Sequence, residues 1–266
     1  MSTLAVLSGL AIVAAGGCGG SDAPCAAKPG GAPGAVSAPD DCAVNSVIAV
    51  DATGAIQDRS LASEVSAAAL RAAQHTITAG GHLRLVVFAG DANAAEVLYD
   101  DHVPTLEQQD ETRRGPLEQS LRGALGSTLD AALGVDRSDR ELRARVRDLS
   151  RGGTSDIARA MRNALRTLMA REGAKAMMLV SDGAQASDQL MLKRRIEAGD
   201  SAAELAAELG ELLGSARDVD VVQVIGLGRL PGRVNQSARR TDELVEIWNG
   251  ACEQTGAKSC ATTTEL

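Results

Sequence analysis

Continuous apolar runs alternate along this chain with longer segments whose apolar residues recur every three or four positions. Four runs are rich in Val, Ile, Leu or Met, as expected for strands buried on both faces, and lie at 45–50, 83–89, 176–180 and 219–225. Two shorter runs predict further strands at 96–100 and 258–264. We expect 96–100 to pair with 83–89 through the turn at 90–93.

The segments with helical periodicity lie between these strands. Residues 61–78 predict a helix with Ser60 as its N-cap and Gly80-Gly81 as its stop. The run Thr154-Ser155-Asp156 predicts the cap of a helix at 156–170. Further helices are predicted at 187–217, split near Gly199-Asp200, and at 242–254. This alternation predicts a doubly wound α/β fold: a mostly parallel sheet with helices on both faces, in three layers.

One segment departs from the strand and helix alternation. Residues 106–150 are charged and helical in pattern, with interruptions expected at Pro104, Pro116 and Gly134. Their length predicts a helical insertion rather than a simple loop. The alternating signs between 137 and 151 are typical of a solvated, salt-bridged face. The alternative is an insertion beside the cleft that shapes a partner-binding surface.

The composition of the chain argues against some classes of function. The chain has 266 residues, a 44% hydrophobic fraction and a formal net charge of −8. Only Phe88, Tyr99 and Trp248 are aromatic, so the core must be aliphatic and base stacking has almost no side chains to use. The negative charge also argues against a nucleic-acid partner, while it is compatible with cation binding.

The amino-terminal region predicts export. Residues 4–17 form an apolar run that is too short for a membrane span but suits a signal peptide, predicted as 1–17. Cys18 follows three small residues, and this arrangement resembles a bacterial lipoprotein signal, which implies lipidation of Cys18. Residues 18–41 are rich in Gly, Ala, Pro and Ser and predict a flexible tether to a domain at 42–266. We therefore expect a membrane-anchored lipoprotein of the cell envelope.

The remaining four cysteines suit an exported chain. Cys25, Cys42, Cys252 and Cys260 allow three disulfide connectivities, and an even count favours disulfides in an oxidising compartment. Cys252 and Cys260 lie close together near the carboxyl end, so this pair is the first choice.

Three short motifs carry the candidate chemistry. They are Val50-Asp51-Ala52-Thr53-Gly54, Gly152-Gly153-Thr154-Ser155 and Val180-Ser181-Asp182-Gly183. In an open α/β sheet the carboxyl ends of adjacent strands meet at one crevice, where such sheets bind ligands. Asp51, Thr53, Thr154 and Asp182 would then share one site. Their oxygen atoms are the ligands that Mg²⁺, Mn²⁺ and Ca²⁺ prefer.

Enzymatic alternatives are weaker. Residues 226–232 contain glycines after a strand, but a dinucleotide fingerprint belongs to the first strand–helix turn, and Pro231 disturbs the spacing. A phosphotransferase of the haloacid dehalogenase type would need a second carboxylate two residues after Asp51, where this chain has Thr53. No nucleophile motif is present, so we expect a protein that is not an enzyme.

The motifs, in their order over residues 44–264, resemble the von Willebrand factor type A family. The resemblance implies a metal-ion-dependent adhesion site in which Asp51, Thr53, Thr154 and Asp182 hold a divalent cation. The family's first motif carries a second Ser where this chain has Ala55, so one hydroxyl ligand is missing. The implied function is a module that binds a protein ligand at the carboxyl edge of the sheet. The alternative is a metal-free structural or assembly lipoprotein that uses the same fold as a scaffold.

Overall fold

Six strands form one sheet at the centre of the molecule. The structure, a computed structural model, describes residues 44–90, 94–104, 111–152, 155–231 and 237–266. The strands are β1 Val44–Asp51, β2 Gly81–Phe88, β3 Glu96–Val103, β4 Ala174–Val180, β5 Val221–Ile225 and β6 Ser259–Thr263. Their order across the sheet is β3-β2-β1-β4-β5-β6. All six predicted strands are confirmed, with bounds that differ by a few residues.

The pairing is mostly parallel. β1 lies between β2 and β4 and pairs in parallel with both. β4 pairs in parallel with β5, and β5 with β6. Only β3 runs antiparallel, against β2, as the 83–89 and 96–100 runs predicted. The turn at 91–93 lies outside the described residues.

Helices cover both faces of the sheet. They are α1 Arg59–Ala79, α2 Glu111–Leu133, α3 Arg140–Leu149, α4 Ile157–Met169, α5 Leu192–Ala198, α6 Ala202–Leu213 and α7 Ala238–Thr255. Residues of α1, α2 and α3 share one apolar cluster, and residues of α4, α6 and α7 share the other. The predicted three-layer α/β fold is therefore confirmed.

Alternation along β1 divides the core between the two faces. Val47 and Ala49 belong to the cluster with α4 and α7, whereas Ile48 and Val50 belong to the cluster with α1 and α2. Successive side chains of a strand point to opposite faces, so a strand that is apolar at every position needs helices on both sides. This arrangement leaves the strand ends as the places where polar side chains gather.

Several predicted helix boundaries were wrong. The N-cap of α1 is Asp58, whose side chain accepts hydrogen bonds from the backbone N–H groups of Ser60 and Leu61, so Ser60 is not the cap. The 187–217 helix begins only at Leu192 and ends at Leu213, where α6 ends. Ser187 Oγ accepts hydrogen bonds from nearby backbone N–H groups, which favours a turn over a helix there.

The predicted insertion at 106–150 contains two helices. Pro116 does not interrupt α2, because it lies near the amino-terminal end of the helix and removes a single backbone hydrogen bond there. Gly134, with a φ of 80°, does end α2 as predicted. Within the described residues, no helix has both the length and the apolar character needed to cross a membrane. The predicted signal peptide and tether at 1–41 lie outside the described residues.

Candidate functional site at the carboxyl edge of the sheet

Two carboxylates meet where β1 and β4 end. Val50 of β1 pairs with Val180 of β4, so Asp51 at the end of β1 and the loop that follows β4 lie side by side. That loop carries Ser181 and Asp182. Asp51 and Asp182 line the same pocket, as the order of the motifs predicted.

Asp51 is held by three donors from three segments of the chain. Its Oδ1 accepts a hydrogen bond from the backbone N–H of Thr53 at 2.9 Å. Its Oδ2 accepts one from Ser155 Oγ at 2.9 Å and one from Ser181 Oγ at 3.0 Å. Asp51 is only 7% exposed, and these bonds satisfy most of the acceptor positions of its carboxylate.

Asp182 has a perturbed acidity. Desolvation and, second, repulsion by the Asp51 carboxylate raise the pKa of Asp182 to about 7, against the opposing effect of a hydrogen bond that Oδ1 accepts from the N–H of Ala184 at 2.8 Å. The backbone carbonyl of Asp182 accepts a hydrogen bond from Gly228, which fixes the loop after β4 against the loop after β5. A positive ion between the two carboxylates would relieve their repulsion.

Thr53, two residues after Asp51, carries a buried hydroxyl group. Its backbone N–H donates a hydrogen bond to Asp51 Oδ1, although Thr53 is not among the residues that line the pocket shared by Asp51 and Asp182. Thr53 Oγ1 is buried and has no hydrogen-bond partner among the residues that the structure describes. A buried hydroxyl in this state is unusual and points to a missing ligand or water. This orphaned oxygen fits a cation that takes oxygen ligands.

The pocket is small and mixed in character. We call it the acidic pocket, after its two carboxylates; its volume is about 20 Å³, and its lining includes Asp51, Ala55, Ser181, Asp182, Leu266 and the positively charged Arg229. A volume of that size holds about one water molecule or one small ion. Over the described ranges, no group of three or more His, Cys, Asp or Glu side chains is arranged to hold a metal. Cation binding here would therefore depend on two carboxylates assisted by hydroxyl groups.

Ala55 lies in the wall of the acidic pocket. It begins the 3-10 turn Ala55–Gln57 directly after the Asp51 loop and is 2% exposed. Because its side chain is a methyl group, it supplies no oxygen to the pocket. The methyl group of Ala55 therefore belongs to the pocket itself and not to a neighbouring surface.

The predicted ligand Thr154 lies outside the described residues. The next residue, Ser155, reaches Asp51, and its backbone carbonyl accepts a hydrogen bond from Ala186. Ser155 and Ser181 are site residues that the sequence analysis did not single out. Both stand inside the quoted motifs, but a serine in a loop gives no sign of which carboxylate it bonds.

Gln185 connects the loops that form the site, and the sequence analysis did not single it out. It is 1% exposed, and its Oε1 accepts a hydrogen bond from the N–H of Ala158 at 2.8 Å in the first turn of α4. Its Nε2 donates to Asp156 Oδ1 and Ser187 Oγ. One amide side chain thus joins the loop after β4 to the loop that carries Ser155. No pattern in the sequence marks this residue.

Trp248 holds the loop after β4 in place through a hydrogen bond. The indole Nε1 donates a hydrogen bond to the carbonyl of Gly183 at 3.0 Å, and Trp248 is fully buried. Gly183 has a φ of 75°, and a Cβ there would lie 2.3 Å from Leu227 Cδ2. Only glycine fits this position, so the Gly of the Ser-Asp-Gly turn is a packing requirement.

The first-choice disulfide is present. Cys252 of α7 and Cys260 of β6 are bonded, with 5.9 Å between their Cα atoms. The bond ties the last helix to the edge strand β6 on the face covered by α4, α6 and α7. Cys18, Cys25 and Cys42 lie outside the described residues, so lipidation of Cys18 stays a prediction.

Comparison with known proteins does not assign this chain to a family. No family model matches this chain, and no curated protein is similar to it. Among solved structures, proximal thread matrix protein 1 from the mussel byssus is 14% identical with a TM-score of 0.35, over 85% of this chain and 45% of that one. The pilus adhesin SpaC from Lactobacillus rhamnosus GG is 11% identical with a TM-score of 0.39, over 84% and 28%. The human COPII-coat protein Sec24c is 11% identical with a TM-score of 0.38, over 84% and 30%. The chain therefore spans less than half the length of each of these proteins.

Proposed function

We propose that this chain is an exported, lipid-anchored protein-binding module of the von Willebrand factor A type, with a degenerate metal-ion-dependent adhesion site. The observation that carries the proposal is the meeting of Asp51 and Asp182 in one pocket, next to a loop in which the buried hydroxyl of Thr53 has no partner among the described residues. A divalent cation held there would be completed by a carboxylate of the protein ligand. Mg²⁺, Mn²⁺ and Ca²⁺ are all candidates, because each takes oxygen ligands.

The hydroxyl groups around Asp51 support this proposal. Ser155 and Ser181 each donate a hydrogen to Asp51 Oδ2, which leaves lone pairs on both hydroxyl oxygens. Such an oxygen can bond a carboxylate and ligate a cation at the same time. A water molecule would take the place of the serine hydroxyl that Ala55 lacks, since Mg²⁺ retains several waters when bound to proteins.

The proposal that the protein is exported depends on other observations than the proposal of a cation site. The apolar run at 4–17 and the small residues before Cys18 suit a lipoprotein leader. The Cys252–Cys260 disulfide suits an oxidising compartment outside the cytoplasm. Mass spectrometry of the natively expressed protein tests the anchor: we expect cleavage before Cys18 and a mass increase at that cysteine. An unmodified Cys18 would exclude lipidation while leaving the binding proposal intact.

The cation is tested by calorimetric titration of the full chain with Mg²⁺, Mn²⁺ and Ca²⁺ at neutral pH. We expect one binding event per chain, which Asp51→Asn abolishes. Asp136→Asn is the matched control, because it makes the same chemical change in the loop between α2 and α3 and should leave binding unchanged. Absence of binding at millimolar cation, or binding that persists in Asp51→Asn, would reject the cation site.

Ala55→Ser refines the same experiment. Residue 55 lines the acidic pocket, so a serine hydroxyl there could add an oxygen ligand. We expect this variant to bind the cation more tightly than the parent chain. Unchanged affinity would mean that the hydroxyl does not reach the ion, and that a different residue or water fills the position.

The second candidate function is a metal-free structural or assembly lipoprotein. The observation in its favour is that Asp51 already accepts three hydrogen bonds and Asp182 accepts one from Ala184, as carboxylates do when they stabilise loops. Capture of protein partners with and without chelator separates the two functions. Loss of partners in chelator supports the adhesion-type module, and identical partners in both conditions support the scaffold.

A further inference from the structure

A second concavity lies next to the acidic pocket and has the opposite charge. It is an open groove of about 360 Å³ between the 3-10 turn at Ala55–Gln57 and the carboxyl end of α2, the following loop and α3. Four arginines contribute to its lining, and we call it the arginine groove: Arg59, Arg137, Arg143 and Arg147. Its volume is in the range of sites that bind ligands.

The positive charge of the arginine groove is largely uncompensated. The guanidinium groups of Arg137, Arg143 and Arg147 form no hydrogen bond or ion pair with any residue that the structure describes. Among the acidic side chains of the same segment, Asp136 interacts electrostatically with Arg59 of the groove, while the hydrogen bonds of these acids are made to other residues. Asp136 accepts hydrogen bonds from Ser138, and Asp139 accepts one from the N–H of Leu142.

Other arginines of this segment form the pairs that the sequence analysis predicted. Arg145 pairs with Glu96 of β3, and Arg151 pairs with Asp148. The salt-bridged interpretation therefore holds for part of the segment, and it fails for the arginines that line the groove. In a chain with a net charge of −8, a local concentration of positive charge is a departure from the average surface.

The fold holds these arginines in place. The stem of Arg143 lies against Gly134, where an added Cβ would be 3.5 Å from its Cδ. Arg59 donates a hydrogen bond from Nη2 to the carbonyl of Val135 at 2.9 Å, which ties the loop between α2 and α3 to the start of α1. Arg143 and Arg147 are four residues apart on α3, so they share one face of the helix, where like charges disfavour the fold.

The arginine groove and the acidic pocket are adjacent. Ala55 lines both of them, so a ligand bound in the groove could also reach a cation held in the pocket. Guanidinium groups recognise carboxylates through paired, charge-assisted hydrogen bonds, and a series of them suits a segment with several carboxylates. A ligand that offers one carboxylate to the cation would then be held more firmly, because the arginines would bind further carboxylates of the same ligand.

We propose that the arginine groove binds an acidic peptide segment of the protein ligand, with the carboxylates of Asp or Glu side chains on Arg137, Arg143 and Arg147. The inference rests on the proposed function in that both sites contact the same ligand. Binding in the groove itself requires no cation. It therefore supplies affinity and specificity at a site whose cation-binding motif lacks one ligand.

The test is calorimetric titration of the full chain with a short oligoglutamate peptide in chelator, at low salt. We expect binding that weakens steeply at about 1 M salt, where charges are screened beyond a few ångströms. The double variant Arg143→Gln/Arg147→Gln should weaken it by about tenfold or more. The double variant Arg166→Gln/Arg194→Gln is the matched control: it removes the same charge from α4 and α5, on the opposite face of the sheet, and should leave affinity unchanged.

The outcomes separate this inference from the proposed function. Peptide binding that persists in Asp51→Asn and in chelator supports the groove even if no cation binds to the chain. An equal loss in the two double variants would mean non-specific attraction and would overturn the proposal. Absence of peptide binding would overturn it as well, including the case in which inorganic phosphate binds in place of the peptide. Circular dichroism of each variant confirms that it is folded.

Discussion

The acidic pocket and the arginine groove lie on either side of Ala55 and differ in how the chain builds them. Every polar residue of the pocket stands within a few residues of a strand end, and the sheet brings those ends together. The groove is assembled from the start of α1 and from an insertion more distant in sequence. A site at strand ends is encoded in short motifs, whereas a groove between helices exists only after they pack.

The two regions should differ most in their tolerance of an added methyl group. Gly183 of the pocket and Gly134 of the groove both have positive φ, but a Cβ at 183 meets Leu227 at 2.3 Å and a Cβ at 134 meets Arg143 only at 3.5 Å. We expect Gly183→Ala to destabilise the protein by about 3 kcal/mol or more, through backbone strain and overpacking together. Gly134→Ala should cost about 1 kcal/mol, from strain alone. Urea unfolding followed by circular dichroism measures both, and equal losses would contradict the difference.

The ionisation of Asp182 in the pocket and of Asp136 beside the groove should change the stability of the protein in opposite directions as pH rises. The pKa of Asp182 is raised to about 7, so this group lowers stability as pH rises from about 4, its ordinary value in the unfolded chain, to about 7. In chelator, we expect Asp182→Asn to be more stable than the parent chain at pH 8 and about equal to it at pH 4.

Asp136, beside the groove, provides the contrast. Hydrogen bonds from Ser138 lower the pKa of Asp136, so its contribution to stability is present at neutral pH and disappears as pH falls through that lowered pKa. Asp136→Asn should therefore be less stable than the parent at pH 8 and equal to it in acid. Thermal unfolding across this range measures the signs, and two variants that shift stability in the same direction would refute the assignment.

Substitution of Thr53 tests whether its buried hydroxyl lacks a hydrogen-bond partner in the absence of a cation. In chelator, Thr53→Val removes a buried hydroxyl that has no partner among the described residues, and it should stabilise the protein by about 1 kcal/mol. Thr76→Val is the control, because Thr76 is also buried but donates a hydrogen bond to Ser46 Oγ, and its loss should destabilise. With Mn²⁺ added, the gain at position 53 should reverse, since the cation loses a ligand. A destabilised Thr53→Val in chelator would show that the hydroxyl has a partner.

The smallest expected effect belongs to the groove. Arg143→Gln/Arg147→Gln removes a repulsion between like charges four residues apart on α3, and should stabilise the free protein by about 0.3 kcal/mol at low salt. The gain should vanish at high salt, because the charges are exposed to solvent. Urea unfolding at two salt concentrations measures it against Arg166→Gln/Arg194→Gln. A loss of stability would mean that these arginines support the fold, which would weaken the case for a binding role.

The sequence predicted the fold well, for a physical reason. Strands buried on both faces are continuously apolar and short, and glycines such as Gly80 and Gly199 end helices in backbone conformations that other residues avoid. Helix starts were less certain, because Asp58 and Ser60 are both good N-caps and only the folded chain decides between them.

The candidate site was predicted in part. Asp51 and Asp182 could be placed together because each directly follows a strand, and adjacent parallel strands end at one edge. The roles of Ser155 and Gln185 could not be predicted, since a side-chain hydrogen bond depends on the path of a loop in three dimensions. The arginines of 137–151 were seen as a charged segment, but which of them pair and which face a groove is decided by the packing of α3.

The contact between Trp248 and Gly183 provides a spectroscopic probe. This chain has one tryptophan, and its indole donates a hydrogen bond to the residue that follows Asp182. Intrinsic fluorescence therefore originates from one buried ring directly behind the acidic pocket. A shift in its emission on adding a cation or a ligand would report a movement of the loop after β4, without any label attached to the protein.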